Sequence, residues 1–170
     1  MSLHSLYVKT YLLLGRELRL FRTPRKGPHR RRPTLGWGIL RQKVIRAETY
    51  LAAAQKIKSE GFSPDLIFAH PGWGGALLLK GLWPSSLLCI YCEFYYRWNG
   101  ADVGFDPEFV RANIADQCRV QLKNTNNLLH FEVADAGLSP TPWQESMLPN
   151  FFKEKITVIH DGIQTHLVSE

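Results

Sequence analysis

The chain contains only three cysteines, an odd number too small for a closed disulfide framework. This usage fits a reducing, cytoplasmic compartment. Cys89 and Cys92 form a C-x-x-C, but no second pair exists. Both fall in an apolar run of strand character, where residues three apart point to opposite faces. They read as small buried hydrophobes, and no metal site is expected. The glycine pattern of a dinucleotide site, the P-loop and the nucleophile elbow are also missing, and no cofactor is expected. The apolar region 65–98 is long, but Asp65, His70, Pro71, Lys80, Pro84 and Glu93 interrupt it, which excludes a membrane span. Residues 1–15 lack the basic start and small-residue cleavage site of a signal peptide.

What remains is a 170-residue chain with 45% hydrophobic residues, enough for one domain with a core. The formal charge is +6. Much of it crowds one segment, where Arg22, Arg25, Lys26, Arg30, Arg31 and Arg32 stand among Pro24, Gly27, Pro28 and Pro33. A solvated loop is the plain reading. Peripheral contact with anionic lipid, or with a phosphorylated ligand, is the functional one. No nucleic-acid motif accompanies the charge, so a nucleic-acid partner is not expected.

The chain reads as alternating strands and helices. Residues 1–20 fit either a helix or a strand, with Glu17–Arg22 alternating as an edge strand does. A helix is predicted over 39–60, with Val44, Ala47, Leu51 and Ala54 as its apolar stripe and Gly61 as its cap. Leu66–Ala69 reads as a central parallel strand, Ala76–Leu82 as one or two helical turns, and Leu87–Phe94 as a second strand. Asp106-Pro107-Glu108 is a helix start. A long helix is predicted over 111–136, with Ile114, Cys118, Leu122, Leu129 and Val133 facing the core and Gly137 as its cap. A strand edge at 138–140, a short helix at 142–148 and a strand at 156–159 complete the pattern. It predicts an α/β, Rossmann-like, mostly parallel sheet with flanking helices.

In such sheets ligands bind at the carboxyl ends of the strands. The first buried strand runs into His70-Pro71-Gly72-Trp73-Gly74-Gly75 and the second into Glu93-Phe94-Tyr95-Tyr96-Arg97. Glycines at 72, 74 and 75 let a ligand approach the backbone. Aromatic rings suit the C–H faces of sugars, and charged groups suit their hydroxyls. His70 reads as a ligand contact or as a loop-bonding histidine, and Trp73 as core packing or a stacking surface. A buried carboxylate at Glu93 needs a partner, either Arg97 or a substrate hydroxyl. Tyr95, Tyr96 and Trp98 favour packing over a binding platform. Asn124 and Asn127 read as bonds to a neighbouring loop, and His160-Asp161-Gly162 as a turn closing the last strand.

The segments HPGWG, FEFYYRWNGADVGFDPEF, NNLL with ADAGLSPTPWQ, and ITVIHDGI carry a further signal. In order and spacing they resemble the N-terminal, acceptor-side domain of a glycosyltransferase family 4 subgroup with the two-domain GT-B fold. The resemblance is strong over 61–168, weaker over 23–60 and absent over 1–20. It implies a retaining enzyme that moves a sugar from a nucleotide-sugar donor to a glycan or lipid acceptor, usually without a required metal. It places His70 as the catalytic residue nearest the reacting sugar, with Gly72, Trp73, Gly74, Glu93, Tyr96 and Arg97 around the substrate. The family's donor domain and the first strand with its glycine-rich loop have no counterpart here, so the resemblance covers half a GT-B fold shortened at both ends. Three expectations follow from that. The isolated chain should show no measurable transfer. An apolar surface should lie exposed over 138–168. The alternative function is a non-catalytic sugar- or partner-binding remnant completed by a separate chain.

Overall fold

The computed structural model describes residues 7–14, 17–24, 37–98, 101, 106, 108 and 114–162, with the backbone alone for 7–24 and Trp37. Six strands form one sheet in the order β2-β1-β3-β4-β5-β6. They are β1 (Tyr7–Leu14), β2 (Glu17–Pro24), β3 (Leu66–Ala69), β4 (Leu87–Tyr91), β5 (Ala136–Ser139) and β6 (Ile156–Val158). β3 to β6 are parallel neighbours, with Ile67 opposite Leu88, Ile90 opposite Gly137 and Gly137 opposite Ile156. The fold is α/β and Rossmann-like, as expected. β5, expected as a strand edge at 138–140, lies inside the sheet and starts two residues earlier.

The N-terminal segment, ambiguous in sequence, is a hairpin. β1 pairs antiparallel with both β2 and β3, with Tyr11 opposite Leu20 and Leu12 opposite Ile67. Only residues 15 and 16 separate β1 from β2, and so short a link permits antiparallel pairing alone. The strand beside β3 therefore runs against the parallel set, and β2 is the edge that its alternation suggests. The side chains of the basic segment 22–32 lie outside the described residues.

The helices are α1 (Trp37–Ser59), α2 (Leu79–Leu82), α3 (Ile114–Lys123), α4 (Thr125–Val133), α5 (Pro142–Met147) and α6 (Asn150–Lys153). α1 ends as predicted: Gly61 takes φ 90° and the Phe62 amide reaches back to the Ile57 carbonyl. Its buried residues are Ala47, Tyr50 and Ala54, whereas Val44 of the predicted stripe is exposed. Along β3 and β4 burial alternates. Ile67, Ala69, Leu88 and Ile90 are fully covered, while Leu66, Phe68, Cys89 and Tyr91 are half-buried. Right-handed crossovers taken in one direction along the sheet set their helices on one face. The core accordingly joins Ala54, Leu79, Phe131 and Phe152 to that face.

Two expectations for 111–136 fail. The helix breaks at Asn124 and stops at Val133, where Ala134 turns extended. Its predicted core stripe is mostly the outer face: Ile114 is 79% exposed, Leu122, Leu129 and Val133 are also exposed, and Cys118 is half-buried. The inward face carries Asn124, Asn126, Asn127, His130 and Phe131, because two site loops need hydrogen bonds from it. Gly137 is not a cap. It lies in β5, where an added Cβ would stand 2.6 Å from Ile156 Cδ1 and 2.9 Å from Phe152 Cε1. Exposed apolar residues within 138–162 agree with expectation, with Trp143, Phe151, Val158 and Ile159 all open to solvent; 163–168 lie outside the described residues.

Candidate functional site

Parallel β3 to β6 all end on one rim, and the segments that follow them carry the residues of the candidate site. β3 delivers His70, which opens the 3-10 turn Pro71–Trp73. The Gly72 amide donates to His70 Nδ1 at 3.0 Å. With Nδ1 accepting, the proton of the neutral ring sits on Nε2. That Nε2–H donates to Glu93 Oε2 at 3.0 Å, just beyond the end of β4. One backbone amide thus fixes the tautomer, and the tautomer fixes the carboxylate. Gly72 has no side chain because the imidazole lies over it, with Cε1 2.6 Å from where a Cβ would stand.

Aromatic groups surround this pair. The His70 ring lies 6.1 Å from both Trp73 and Tyr91. Tyr91 O–H donates to the Asp161 carboxylate, with 2.8 Å to the nearer oxygen, which ties the end of β4 to the turn after β6. Burial, then the bond to Asp161, then the negative charges of Asp161 and Glu93, push the Tyr91 hydroxyl up to about 12, so it stays a proton donor at neutral pH. On the other side of Glu93 a small pocket is lined by Phe94, Tyr95, Trp143, Gln144 and Met147. Thr141 caps α5 through the Gln144 amide and also bonds the Gln144 side chain, so the cap sets that wall.

The helix side of the rim is cationic. Gly74 takes φ 80° in contact with α1: a Cβ there would lie 2.9 Å from the Lys43 carbonyl oxygen. The glycine therefore admits the helix, and α1 sets Lys43 Nζ and Arg46 Cζ each 5.9 Å from the Trp73 ring centre. Lys123, at the end of α3, stands 4.2 Å over the Tyr96 ring. Burial first, then the charges of Arg46 and Lys123, pull the Lys43 ammonium down to about 8.

The junction of α3 and α4 holds both site loops. Asn124 accepts from the Tyr96 amide at 3.0 Å and donates to the Tyr96 carbonyl at 2.7 Å. Asn127 donates to the Phe94 carbonyl at 3.1 Å, and Asn126 donates to the Pro71 carbonyl. His130, fully buried, has its Nδ1–H on the Asn126 carbonyl at 2.8 Å. Burial first, with Lys43 and His70 adding to it, pulls this histidine down to about 4.

His70, Trp73 and Glu93 thus meet on one rim, joined by Gly72. Tyr96 stands further out, stacked on Phe94. Arg97 donates to the Met147 carbonyl at 3.0 Å, and the side chain bonded to Glu93 is His70 rather than Arg97. Asn124 and Asn127 bond neighbouring loops as their reading holds, and His160 closes its turn by accepting from the Gly162 amide. Sequence reasoning missed Tyr91, Trp143, Lys43 and the tie to Asp161. Only the end of an apolar run signals Tyr91, and nothing local signals Lys43, which tertiary packing brings to the rim. Among the described residues no group of three metal-binding side chains occurs, and no helix is long and apolar enough to cross a membrane.

A family model described as glycosyl transferase family 4 group matches residues 17–168. Comparison with curated proteins and with solved structures returns no match.

Proposed function

Because the chain belongs to the glycosyl transferase family 4 group, its role lies in glycosyl transfer, and we propose that the rim around His70 and Glu93 binds the acceptor of that reaction. The observation that carries this reading is the 3.0 Å bond from His70 to Glu93. It holds one carboxylate oxygen and leaves the other to accept from a sugar hydroxyl. Trp73, Tyr91 and Trp143 offer flat apolar surfaces on either side, suited to the C–H faces of a sugar ring.

In glycosyl transfer the acceptor oxygen bonds the sugar's anomeric carbon, the bond from that carbon to the donor's leaving group breaks, and the acceptor's proton passes to the departing group. Glu93 orients the acceptor hydroxyl and accepts its hydrogen bond. His70 holds Glu93 in place and is the ring nearest the reacting centre. A nucleotide sugar as donor, held by a second domain, and transfer with retention of configuration are the finer parts of the proposal. They rest on the resemblance of the HPGWG and EFYYRWNG segments to the acceptor-side domain.

Saturation-transfer NMR with a panel of glycosides tests the reading. Acceptor binding is expected to weaken by about 1–3 kcal/mol in Glu93→Gln and in His70→Ala, through loss of a half-buried hydrogen bond to a charged group. Binding indifferent to both substitutions would remove the acceptor role from this rim. In parallel, the chain is incubated with nucleotide sugars and the best-binding acceptor. Turnover abolished by His70→Ala would make the chain an enzyme by itself and overturn the expectation of an inactive half.

A further inference from the structure

We infer that the acceptor is a neutral sugar with a second hydroxyl beside the reacting one, and that Gln144 selects it by donating its side-chain amide to that second hydroxyl in the pocket it shares with Glu93. The inference deepens the acceptor-site reading and rests on it. Both residues line the one small pocket beside the rim, and a backbone amide sets each of them. At Glu93, the Gly72 amide fixes the His70 tautomer and His70 Nε2–H takes Oε2, which leaves Oε1 as an acceptor. At Gln144, the residue's own amide donates to Thr141 Oγ1 at 3.2 Å. The Thr141 hydroxyl in turn donates to Gln144 Oε1 at 2.6 Å. The carbonyl end of the side chain is thus occupied, and its NH2 is left with two protons to give.

The opposite polarity of the pair decides the ligand. A sugar hydroxyl can donate to one neighbour and accept from another. Two hydroxyls on adjacent carbons therefore satisfy both groups, one donating to Glu93 and the next accepting from Gln144. The pocket is small, so it takes this hydroxyl edge while the ring lies against exposed Trp143 and Phe94. A phosphate or carboxylate there would meet the Glu93 carboxylate and is disfavoured. Thr141 and Gln144 also have the spacing of a capping box at the start of α5. Glutamate serves such a box as well as glutamine does, but its carboxylate has no N–H to give. The donor is what capping alone does not require. By holding the second hydroxyl, Gln144 decides which hydroxyl of the acceptor reaches Glu93, and with it the position of the new linkage.

The test is saturation-transfer NMR titration of the 170-residue chain with methyl glycosides of glucose, galactose and mannose, then with the monodeoxy series of the best binder. Gln144→Glu keeps the capping box and loses the donor. It is expected to lower the affinity about tenfold with the unfolding midpoint unchanged. Gln144→Met, of similar length and without a donor, gives the same reading if Gln144→Glu fails to fold. One deoxy analogue, lacking the second hydroxyl, should bind the unaltered chain about tenfold more weakly, and Gln144→Met should lose nothing further against it. Binding undiminished by both Gln144 substitutions overturns the inference. So does a loss of equal size for the parent glycoside and every deoxy analogue, which marks a structural effect. If Glu93→Gln still weakens binding in either case, the acceptor reading stands without Gln144. Binding indifferent to Glu93→Gln and His70→Ala, or no saturable binding of any glycoside, fails the acceptor reading, and the inference falls with it.

Discussion

Single residues on this rim are constrained by what stands next to them more than by their own chemistry. Gly74 combines a positive φ with helix backbone within 3.0 Å of a would-be Cβ. Gly74→Ala should therefore cost about 2–4 kcal/mol, from left-handed strain and overpacking together. Urea unfolding measures this, and a loss under 1 kcal/mol would show that α1 can move aside. His130 gives the protein a pH dependence of known sign. Its folded value of about 4 lies below the ordinary 6.5, so the unfolded chain takes up the proton first as pH falls. The neutral ring's contribution is complete above about pH 6.5 and is lost on the way to about pH 4, roughly 2–4 kcal/mol in all. The Asp135 carboxyl also has a folded value below its ordinary one. Burial opposes this, but the Leu88 amide and Lys80 outweigh it. Its contribution is lost only at lower pH, below its ordinary 3.8, so the two windows separate. Unfolding midpoints between pH 7 and 4.5 should fall less steeply in His130→Gln, and parallel profiles would refute the assignment.

Among the elements, the parallel strands and α1 were legible because apolar runs and caps are local signals. Leu66–Ala69 and Gly61 fall where sequence places them. The α3–α4 segment misled because periodicity reports which face is apolar, not which face is inward. Its leucines turn to solvent and its asparagines turn in, since the loops after β3 and β4 need donors and acceptors that leucine lacks. The meeting of His70, Trp73 and Glu93 was legible as shared position at strand ends. Lys43 was not, because only the packing of α1 on Gly74 brings it there. Asn124→Ala should free both backbone groups of Tyr96, cost about 1–3 kcal/mol and speed amide hydrogen exchange at Tyr96 ahead of Ile67 in β3. Equal acceleration at the two amides would mean global destabilisation and no local anchoring. Gly137→Ala, set between Ile156, Phe152 and Cys92, should overpack β5 against α6 by about 1–3 kcal/mol, read again by urea unfolding.

For the whole molecule, apolar surface lies outward in quantity. Trp143 and Phe151 are 57% and 64% exposed, and Leu122, Leu129 and Val133 lie open along α3 and α4. Surfaces of this kind bind apolar probes. Phe151→Gln together with Leu129→Gln should lower the fluorescence of a bound apolar dye, with the unfolding midpoint nearly unchanged. Undiminished dye binding would place the sticky surface elsewhere, such as the half-buried sheet face of Phe68 and Tyr91. The asparagines at 124, 126 and 127 bear on how such a domain could be re-engineered. They grip the turn after β3 and the segment after β4 from a single helix junction. Neither loop is then a portable cassette: transplanted alone into another sheet, either would arrive without its anchor. The smallest unit that can be exchanged with its geometry intact is both loops together with the α3–α4 junction that grips them.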